Sequence, residues 1–363
     1  MSCDHPMLRI FTPDILTAEG KPQTKKIIGL KTFLDDRQID DYYKKLVESL
    51  KDDQVGVVYK TIGGLRYGHQ LIPCGKCVGC RLEYSRQWAM RCTLEALQHE
   101  FNYFVTLTYD DPNLVKMPYH VGADPYTGEV LFEGHPSPLI PDDLTKFMKD
   151  LREYYRTHYN HDGIRFFACG EYGGKSGRPH FHLILFNCPI PDLSLYKRNF
   201  QDKPLYNSKI FSDRWKKGYV VIAECNFDTC AYVARYIMKK QTGQNGIMYD
   251  ILGLTPEFTR MSRMPGIGRT YYDENSDKIY KYDQITIVGS KGKILSPCPP
   301  KYFDLQYGAE EPEDFERIKQ ERLAKMAVSE RSREYETGLS KATHIRLETD
   351  KRDRVLIALK RVN

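Results

Sequence analysis

Between residues 104 and 240, segments with strand and helix periodicity follow one another, and their order limits the folds open to the chain. The predicted elements, in order, are strand 104–109, helix 144–155, strands 164–170 and 180–186, helix 208–216, strand 219–224 and helix 229–240. The turn-rich residues 172–178 join the second and third strands as a hairpin. A hairpin with helices in this order predicts an α+β fold, with a central antiparallel sheet covered by helices on one face. A doubly wound parallel sheet is excluded.

Weaker patterns surround this stretch and divide the chain into three predicted parts. Residues 1–70 form an N-terminal extension without clear chemistry, residues 71–245 hold the central domain, and residues 246–363 form an irregular C-terminal extension of unknown role. The weaker predictions are helices at 40–50, 83–99 and 312–335, a strand at 285–288 and a long loop at 112–141.

Composition narrows the class of protein without identifying it. The 363 residues are 41% hydrophobic, enough for a core, and no long uncharged apolar run predicts a membrane span. The N-terminus lacks the pattern of a signal peptide, so a soluble cytoplasmic protein is expected. The 26 tyrosines and 54 basic residues suit a surface that stacks bases and neutralises phosphates, but they also suit an ordinary fold.

Two histidines on one predicted strand indicate a metal site. His180 and His182 are two positions apart, so both imidazoles project from the same strand face. If residues 172–178 close the hairpin, Glu171 falls opposite or nearly opposite His180, and Cys169 falls opposite His182. Glu171, His180 and His182 would then converge on one ion and leave positions open for phosphate oxygens and water. Taken alone, a His-x-His strand is more often structural than a ligand pair.

Two tyrosines on the predicted helix 229–240 supply candidate nucleophiles. Tyr232 and Tyr236 are one turn apart, so both phenol oxygens can reach a single point. Such a pair is usually packing, but beside a metal site it provides what is needed to break a phosphodiester bond and hold the broken end covalently. Arg235 and Lys239 each follow a tyrosine by three positions. They are candidates to hold phosphate or stabilise a phenolate, and solvated charges explain them equally well.

A cysteine cluster indicates a second metal site. Cys74, Cys77 and Cys80 are spaced for thiolate ligation of a structural zinc ion, with glycines that let the backbone turn. The candidates for a fourth ligand are Cys3, which we prefer, and His5, His69 and Cys92. A reduced loop without a metal explains the cluster equally well, and an iron–sulfur cluster explains it less well.

Three of these segments resemble motifs one, two and three of HUH endonucleases: residues 104–109 (FVTLTY), 179–183 (PHFHL) and 232–236 (YVARY). The chain is most similar to the replication initiators of microviruses, in particular of gokushoviruses. That similarity extends to four further segments: residues 1–6 (MSCDHP), 73–81 (PCGKCVGCR), 86–89 (RQWA) and 169–173 (CGEYG). It covers residues 70–242 well. The tyrosines follow the histidines, as in replication initiators, whereas plasmid relaxases place the tyrosine first.

The resemblance implies an RRM- or ferredoxin-like sheet and a nicking–joining enzyme of rolling-circle replication. A tyrosine would cut origin DNA, form a 5′-phosphotyrosine and leave a free 3′-OH, with Mg²⁺ or Mn²⁺ as the cofactor. The second tyrosine would allow the displaced strand to be rejoined into a circle. A host DNA polymerase would extend the 3′-OH, and a host helicase would open the duplex, since the sequence has no Gly-x-x-x-x-Gly-Lys-Ser/Thr loop. The cytoplasm of a bacterial host is the expected location.

Contacts with single-stranded or extruded origin DNA are expected near the hairpin. Lys175 and Arg178 flank it and Lys240 ends the tyrosine helix; Arg81, Arg86 and Trp88 are further candidates. Two other classes of protein stay open. A transposase or plasmid nuclease of the same superfamily would keep the metal site and a tyrosine. A non-catalytic nucleic-acid-binding protein with a zinc knuckle would bind without forming covalent adducts.

Overall fold

The computed structural model describes residues 7–18, 22–29, 57–75, 77–123, 128, 130–173, 177–199, 201–235, 247–289, 292–339, 347–348, 350–351 and 354. The helix predicted at 40–50 lies outside these residues. The chain forms two compact units: one contains residues up to Glu83 together with residues from Asp304 onward, and the other contains Tyr84–Phe303. The predicted division at residues 70 and 245 stays a prediction.

The strands and helices are numbered in chain order. The strands are β1 (Met7–Leu16), β2 (Pro22–Gly29), β3 (Val57–Ile62), β4 (Leu65–Ile72), β5 (Tyr103–Tyr109), β6 (His120–Ala123), β7 (Val130–Gly134), β8 (Arg165–Tyr172), β9 (Pro179–Phe186), β10 (Ser194–Arg198), β11 (Pro204–Asn207), β12 (Gly218–Glu224), β13 (Phe258–Met261), β14 (Ile287–Val288) and β15 (Ile294–Leu295). The helices are α1 (Val78–Ala96), α2 (Pro141–Tyr159), α3 (Lys209–Trp215), α4 (Phe227–Arg235), α5 (Ile247–Ile251), α6 (Arg269–Tyr282), α7 (Lys301–Glu310) and α8 (Pro312–Thr337).

The first unit contains a four-stranded antiparallel sheet in the order β2-β1-β4-β3. Gly63 and Gly64, with φ angles of 58° and 80°, make the tight turn between β3 and β4. Glycine suits these positions because residues with a side chain rarely adopt positive φ. The Phe11 ring covers Gly68 so closely that an added Cβ would clash with it. The sequence pattern did not predict this sheet.

The second unit is built on a seven-stranded sheet in the order β10-β11-β12-β5-β9-β8-β13, in which all neighbours are antiparallel. Its inner strands and two helices follow the chain order β5-α2-β8-β9-α3-β12, which is the β-α-β-β-α-β arrangement of ferredoxin-like folds. The predicted α+β class and central antiparallel sheet are confirmed.

Helices cover both faces of this sheet, so the prediction of a single covered face is wrong. Alternate residues of β5, β9 and β12, including Leu107 and Leu183, pack on one face with α2 and α3. Phe167 and Ile184 point to the opposite face, where they pack against α1 and α4. Both faces of β8 and β9 therefore carry apolar side chains, because helices cover each face and bury those side chains.

Several elements carry too weak an apolar signal to be predicted. Residues 112–141 contain the β6–β7 hairpin, and β10, β11, β13 and α6 were also missed. Every residue of β10 is exposed, so this strand shows no apolar alternation. No helix among the described residues has the length and apolar character needed to cross a membrane.

Candidate active site

The β8–β9 hairpin places the three predicted metal ligands side by side. Glu171 is paired with His180, and Cys169 is paired with His182. This is the register expected from the turn at 172–178, so the predicted pairing is confirmed. Directly opposed residues in an antiparallel pair share one face. The three donors therefore lie together on the sheet face covered by α1 and α4.

The donor atoms converge within hydrogen-bond distance. Glu171 Oε1 lies 2.5 Å from His180 Nε2 and 3.0 Å from His182 Nε2. Glu171 and His182 are buried, at 2% and 6% exposure, while His180 is partly exposed. The ligand atoms of all three residues lie within 4.8 Å of one another. This two-imidazole, one-carboxylate set is a site that can hold a divalent cation and keep coordination positions open.

The outer atoms of both imidazoles are engaged, which fixes the rings. His180 Nδ1 donates to the Arg178 carbonyl oxygen at 3.0 Å, and His182 Nδ1 lies 3.0 Å from Thr106 Oγ1 on β5. The Phe104 ring stacks on the His182 ring, with centroids 5.4 Å apart and planes 16° apart. Such outer contacts orient ligating histidines and aim Nε2 at the ion.

The charge of the buried carboxyl is held by its neighbours. Burial alone raises the pKa of Glu171, but hydrogen bonds and charge interactions with His180 and His182 outweigh it and hold the pKa well below its usual range. Glu171 therefore stays ionised at neutral pH, as an oxygen ligand of a cation must.

Tyr232 lies beside this candidate metal-binding set. Its ring centroid is 5.5 Å from that of His182 and 5.8 Å from that of Phe104, edge-on to both rings. Helix α4, which carries Tyr232, begins with a reciprocal cap, because Asn226 Oδ1 accepts from the Thr229 backbone N–H and Thr229 Oγ1 accepts from the Asn226 backbone N–H. The helix is anchored to the sheet by its buried residues Cys230, Val233 and Ala234.

The other predicted catalytic and DNA-binding residues are only partly described. Arg235 is exposed at the end of α4. Arg178 donates to the Tyr109 carbonyl oxygen at 2.7 Å and pairs with the Asp111 carboxylate. Arg178 thus ties the β9 end of the hairpin to the end of β5. Outside the described residues lie Tyr236, Lys239, Lys240 and Lys175.

Trp88 does not offer a ring for base stacking, so that expectation is wrong. It is 8% exposed and stacks on Phe167 with centroids 4.8 Å apart, while the Arg91 guanidinium covers its ring. Its place in the apolar stripe of α1 explains why the residue is buried.

The three cysteines of the first unit also cluster. Cys74 Sγ lies 4.0 Å from Cys80 Sγ, and the thiolate candidates of all three residues lie within 4.8 Å of one another. The backbone N–H of Cys77 donates to Cys74 Sγ, and that of Cys80 donates to Cys77 Sγ. N–H donors facing sulfur are what a thiolate needs when it binds a metal ion.

A fourth ligand is not assigned. Cys3 and His5 lie outside the described residues, as does the side chain of His69. Cys92 is fully buried in the core of the second unit, where burial raises the pKa of its thiol well above the usual value. Such a thiol is disfavoured as a thiolate ligand.

Thr106 and Phe104 contact the ligands but were not predicted to act in the site. The available signal was the position of Thr106 on a strand next to β9, opposite His182. Strand order cannot be read from periodicity alone, so this signal becomes usable only once β5 and β9 are known to be neighbours.

Comparison with known proteins identifies the family. A family model for replication-associated proteins of the ORF2 type matches residues 102–241. The chain is 38% identical to the replication-associated protein ORF2 of Spiroplasma virus 4 over 265 residues, 72% of this chain and 76% of that protein. It is 27% identical to the replication-associated protein VP4 of Bdellovibrio phage phiMH2K, over 70% of this chain and 75% of that protein.

A shorter match, 34% identical, joins 47% of this chain to 38% of the replication-associated protein ORF4 of Chlamydia phage 1. The chain belongs to the family of replication-associated proteins of these small phages, the microviruses. No solved structure gives a significant match to the chain.

Proposed function

We propose that this protein starts rolling-circle replication by nicking one DNA strand at the phage origin and later rejoins the displaced strand. The proposal is carried by the position of Tyr232. Its ring centroid lies 5.5 Å from that of His182, which forms the candidate metal-binding set with Glu171 and His180. A nucleophile next to a site for a divalent cation is the arrangement that phosphodiester transfer requires. Family membership independently supports a role in DNA replication.

The residues fit a bound Mg²⁺ or Mn²⁺. His180 and His182 would ligate through Nε2, because their Nδ1 atoms face the Arg178 carbonyl and the Thr106 hydroxyl. Glu171 would supply a carboxylate oxygen. Such an ion neutralises charge that develops on the scissile phosphate. The buried ionised carboxylate and the stacked His182 ring hold the donor set in place before DNA arrives.

In the nicking step, the phenol oxygen of Tyr232 or Tyr236 bonds to the scissile phosphorus while the bond from phosphorus to the 3′ oxygen breaks. The phenol proton passes to solvent, and the leaving 3′ oxygen takes up a proton. The products are a 5′-phosphotyrosine and a free 3′-OH. A tyrosine with a pKa of about 10 is mostly protonated at neutral pH, so nearby cations must favour its phenolate. Arg235 and Lys239 are the cations assigned to this task or to the phosphate.

The second tyrosine closes the cycle. After one round, the tyrosine that is still free cuts the regenerated origin. The released 3′-OH then bonds to the phosphorus of the first phosphotyrosine while the bond from phosphorus to the phenol oxygen breaks; the 3′-OH loses its proton and the leaving phenol oxygen takes one up. The bond energy is kept in the linkage, so rejoining needs no ATP. In the bacterial cytoplasm, a host polymerase would extend the 3′-OH and a host helicase would open the duplex. A zinc ion at Cys74, Cys77 and Cys80 would be structural.

The test is a covalent adduct. The full-length protein is incubated with Mn²⁺ and single-stranded oligonucleotides that tile the genome encoding it, and adducts that survive denaturation are separated by mass. Wild type is expected to form an adduct with one sequence only. Tyr232→Phe and Tyr236→Phe should each keep part of the adduct, whereas the double variant should form none. Tyr282→Phe, which alters an exposed tyrosine of α6, is the matched control and should behave as wild type.

Two outcomes would contradict the proposal. An adduct that persists in the double tyrosine variant would place the nucleophile elsewhere. Metal-independent binding of single strands by wild type, without any adduct, would instead favour a non-catalytic nucleic-acid-binding protein.

A further inference from the structure

The metal-site residues belong to a row that crosses four strands of the sheet. Glu171 on β8 is paired with His180 on β9, and His180 is paired with Thr108 on β5. Thr108 is in turn paired with Tyr219 on β12. Opposed residues share a face, so the row that begins at the carboxylate ends at an aromatic ring on the same side of the sheet. With strands about 4.8 Å apart, the Cα atoms of Tyr219 and His180 lie roughly 10 Å apart.

Tyr219 presents this ring to solvent. Its side chain is 65% exposed, whereas its neighbours Val220 and Ile222 are 4% and 0% exposed and pack on the opposite face. Within the described part of the chain, the Tyr219 side chain has no hydrogen-bond or ring partner. The core of the second unit therefore does not use the ring, although β12 is an inner strand of the sheet.

The backbone that carries the ring is held firmly against β5. Gly218 has φ of 140°, and an added Cβ there would clash with the Thr108 carbonyl oxygen. Trp215 Nε1 donates to the same oxygen at 3.2 Å. The start of β12 thus packs closely against β5 in one register. This register pairs Tyr219 with Thr108 before any ligand binds.

Basic residues directly precede β12 in the chain. Lys216 is exposed, and the half-exposed Lys217 has its Nζ 3.6 Å from Asp143 Oδ1. Arg178 is held at the same end of the sheet through the Tyr109 carbonyl oxygen. An exposed aromatic ring beside basic side chains is the combination that binds single-stranded nucleic acid, because bases stack on the ring and phosphates pair with the cations.

We infer that the Tyr219 ring is a stacking platform for one base of the strand whose phosphate occupies the metal site. The inference rests on the proposed function, since that function brings single-stranded DNA to this face. Tyr219 and His180 are separated by only two strand spacings, roughly 10 Å between Cα atoms, which limits the stacked base to within a few nucleotides of the cleavage point. Stacking tolerates any base, so Tyr219 contributes affinity and position rather than recognition of a particular sequence.

The first experiment measures binding of full-length protein, in EDTA, to the labelled oligonucleotide that carries the cleavage sequence or, if none is cleaved, to the tiled set. Tyr219→Ala is expected to weaken binding roughly 10-fold, since stacking one base contributes about 1–3 kcal/mol. Tyr219→Phe should bind within about twofold of wild type, because it keeps the ring. Tyr282→Ala removes a tyrosine that is 62% exposed on helix α6 and is the matched control.

A second readout reports stacking itself. Trp88 and Trp215 are 8% and 2% exposed, so a Tyr219→Trp variant carries one solvent-facing indole. Its fluorescence should be quenched by the oligonucleotide, and a single abasic position in the DNA should remove most of the quenching. The same abasic position should weaken binding by wild type but not by Tyr219→Ala, as a double-mutant cycle requires for a direct pair.

Unchanged affinity of Tyr219→Ala for the oligonucleotide would overturn the inference. So would a Tyr219→Trp indole that no single strand quenches. The exposed ring would then be assigned to a contact with another protein. Adduct formation is measured separately on the same variants. If wild type forms no adduct but the stacking measurements give the expected results, only the proposed function is refuted. If wild type forms adducts and Tyr219→Ala binds DNA with unchanged affinity, only the stacking role of Tyr219 is refuted.

Discussion

The two candidate metal sites of this protein are built in opposite ways. Glu171, His180 and His182 are held by a hydrogen-bonded strand ladder, and contacts with Thr106 and Phe104 fix the rings. Cys74, Cys77 and Cys80 instead lie where a loop enters helix α1, and the backbone N–H groups of Cys77 and Cys80 donate to the sulfur atoms of Cys74 and Cys77. The fold holds the donor atoms of the strand ladder in place whether or not an ion is bound. The cysteine loop, in contrast, would be stabilised by a bound ion. Loss of an ion should therefore affect chemistry at the first site and stability at the second.

The largest expected effect tests the first half of this comparison. His182→Ala removes a ligand, and we expect the rate of adduct formation at saturating Mn²⁺ to fall about 1000-fold, or roughly 4 kcal/mol. The circular dichroism spectrum should be unchanged. His158→Ala, on the exposed side of α2, is the control. A rate within tenfold of wild type would show that His182 is not a ligand.

A somewhat smaller effect tests the second half. Cys77→Ser should abolish zinc binding and lower the free energy of unfolding by about 3 kcal/mol, because loss of a structural metal is among the large destabilising changes. Zinc content by mass spectrometry and denaturant unfolding measure the two effects. Cys298→Ser alters an exposed cysteine and should change neither. Equal stability of wild type with zinc and with chelator would mean that the cysteines form an ordinary reduced loop.

The ladder itself should show a pH-dependent stability without metal. The pKa of Glu171 is lowered on folding, so its contribution is present above the unfolded value of about 4.3 and is lost as pH falls toward the folded value. The free energy of unfolding of wild type should exceed that of Glu171→Gln by about 2 kcal/mol near pH 6. This difference in stability should shrink by pH 3. Unfolding in EDTA at both pH values measures this difference.

Glu153→Gln removes an exposed carboxylate that pairs with Arg156 and serves as the control for this series. Its effect should be small at both pH values, because exposed ion pairs contribute little. A difference between wild type and Glu171→Gln that grows as the pH falls would reverse the predicted sign.

The smallest expected effect concerns the outer contact of His182. Thr106→Val removes the hydroxyl at Nδ1 and should raise the Mn²⁺ concentration for half-maximal adduct formation about 10-fold, while the rate at saturation stays near wild type. Thr106→Ser keeps the hydroxyl and should restore metal affinity. A lower rate at saturating Mn²⁺ with unchanged affinity would mean that Thr106 acts on the reaction and not on the ligand.

The central sheet and the pairing of the metal ligands could be predicted because their signals are local. Alternation marks β5 and an apolar run marks β9, and the turn at 172–178 fixes the register of Glu171 against His180. Tyr236, Lys239 and Lys240 lie outside the described residues, and the roles of both tyrosines as nucleophiles stay predictions.

The features that were missed depend on long-range packing. The exposed strand β10 and the four-residue edge strand β13 gain order from the strands beside them and not from their own pattern. Trp88 looked like a nucleic-acid contact, but helix α1 places it against Phe167. The position of Thr106 opposite His182 and that of Tyr219 opposite Thr108 follow from strand order, which a single sequence does not contain.

Glu171 and His182 are only eleven positions apart, so one short hairpin carries the whole donor set. Closing so short a loop costs little entropy, and hairpins form within about 1–10 μs. The candidate donor set can thus form early in folding from a single hairpin, whereas placing Tyr232 beside it also requires helix α4 to pack on the sheet. Under the proposed function, the folding chain would gain a site for the cation before it gains a nucleophile.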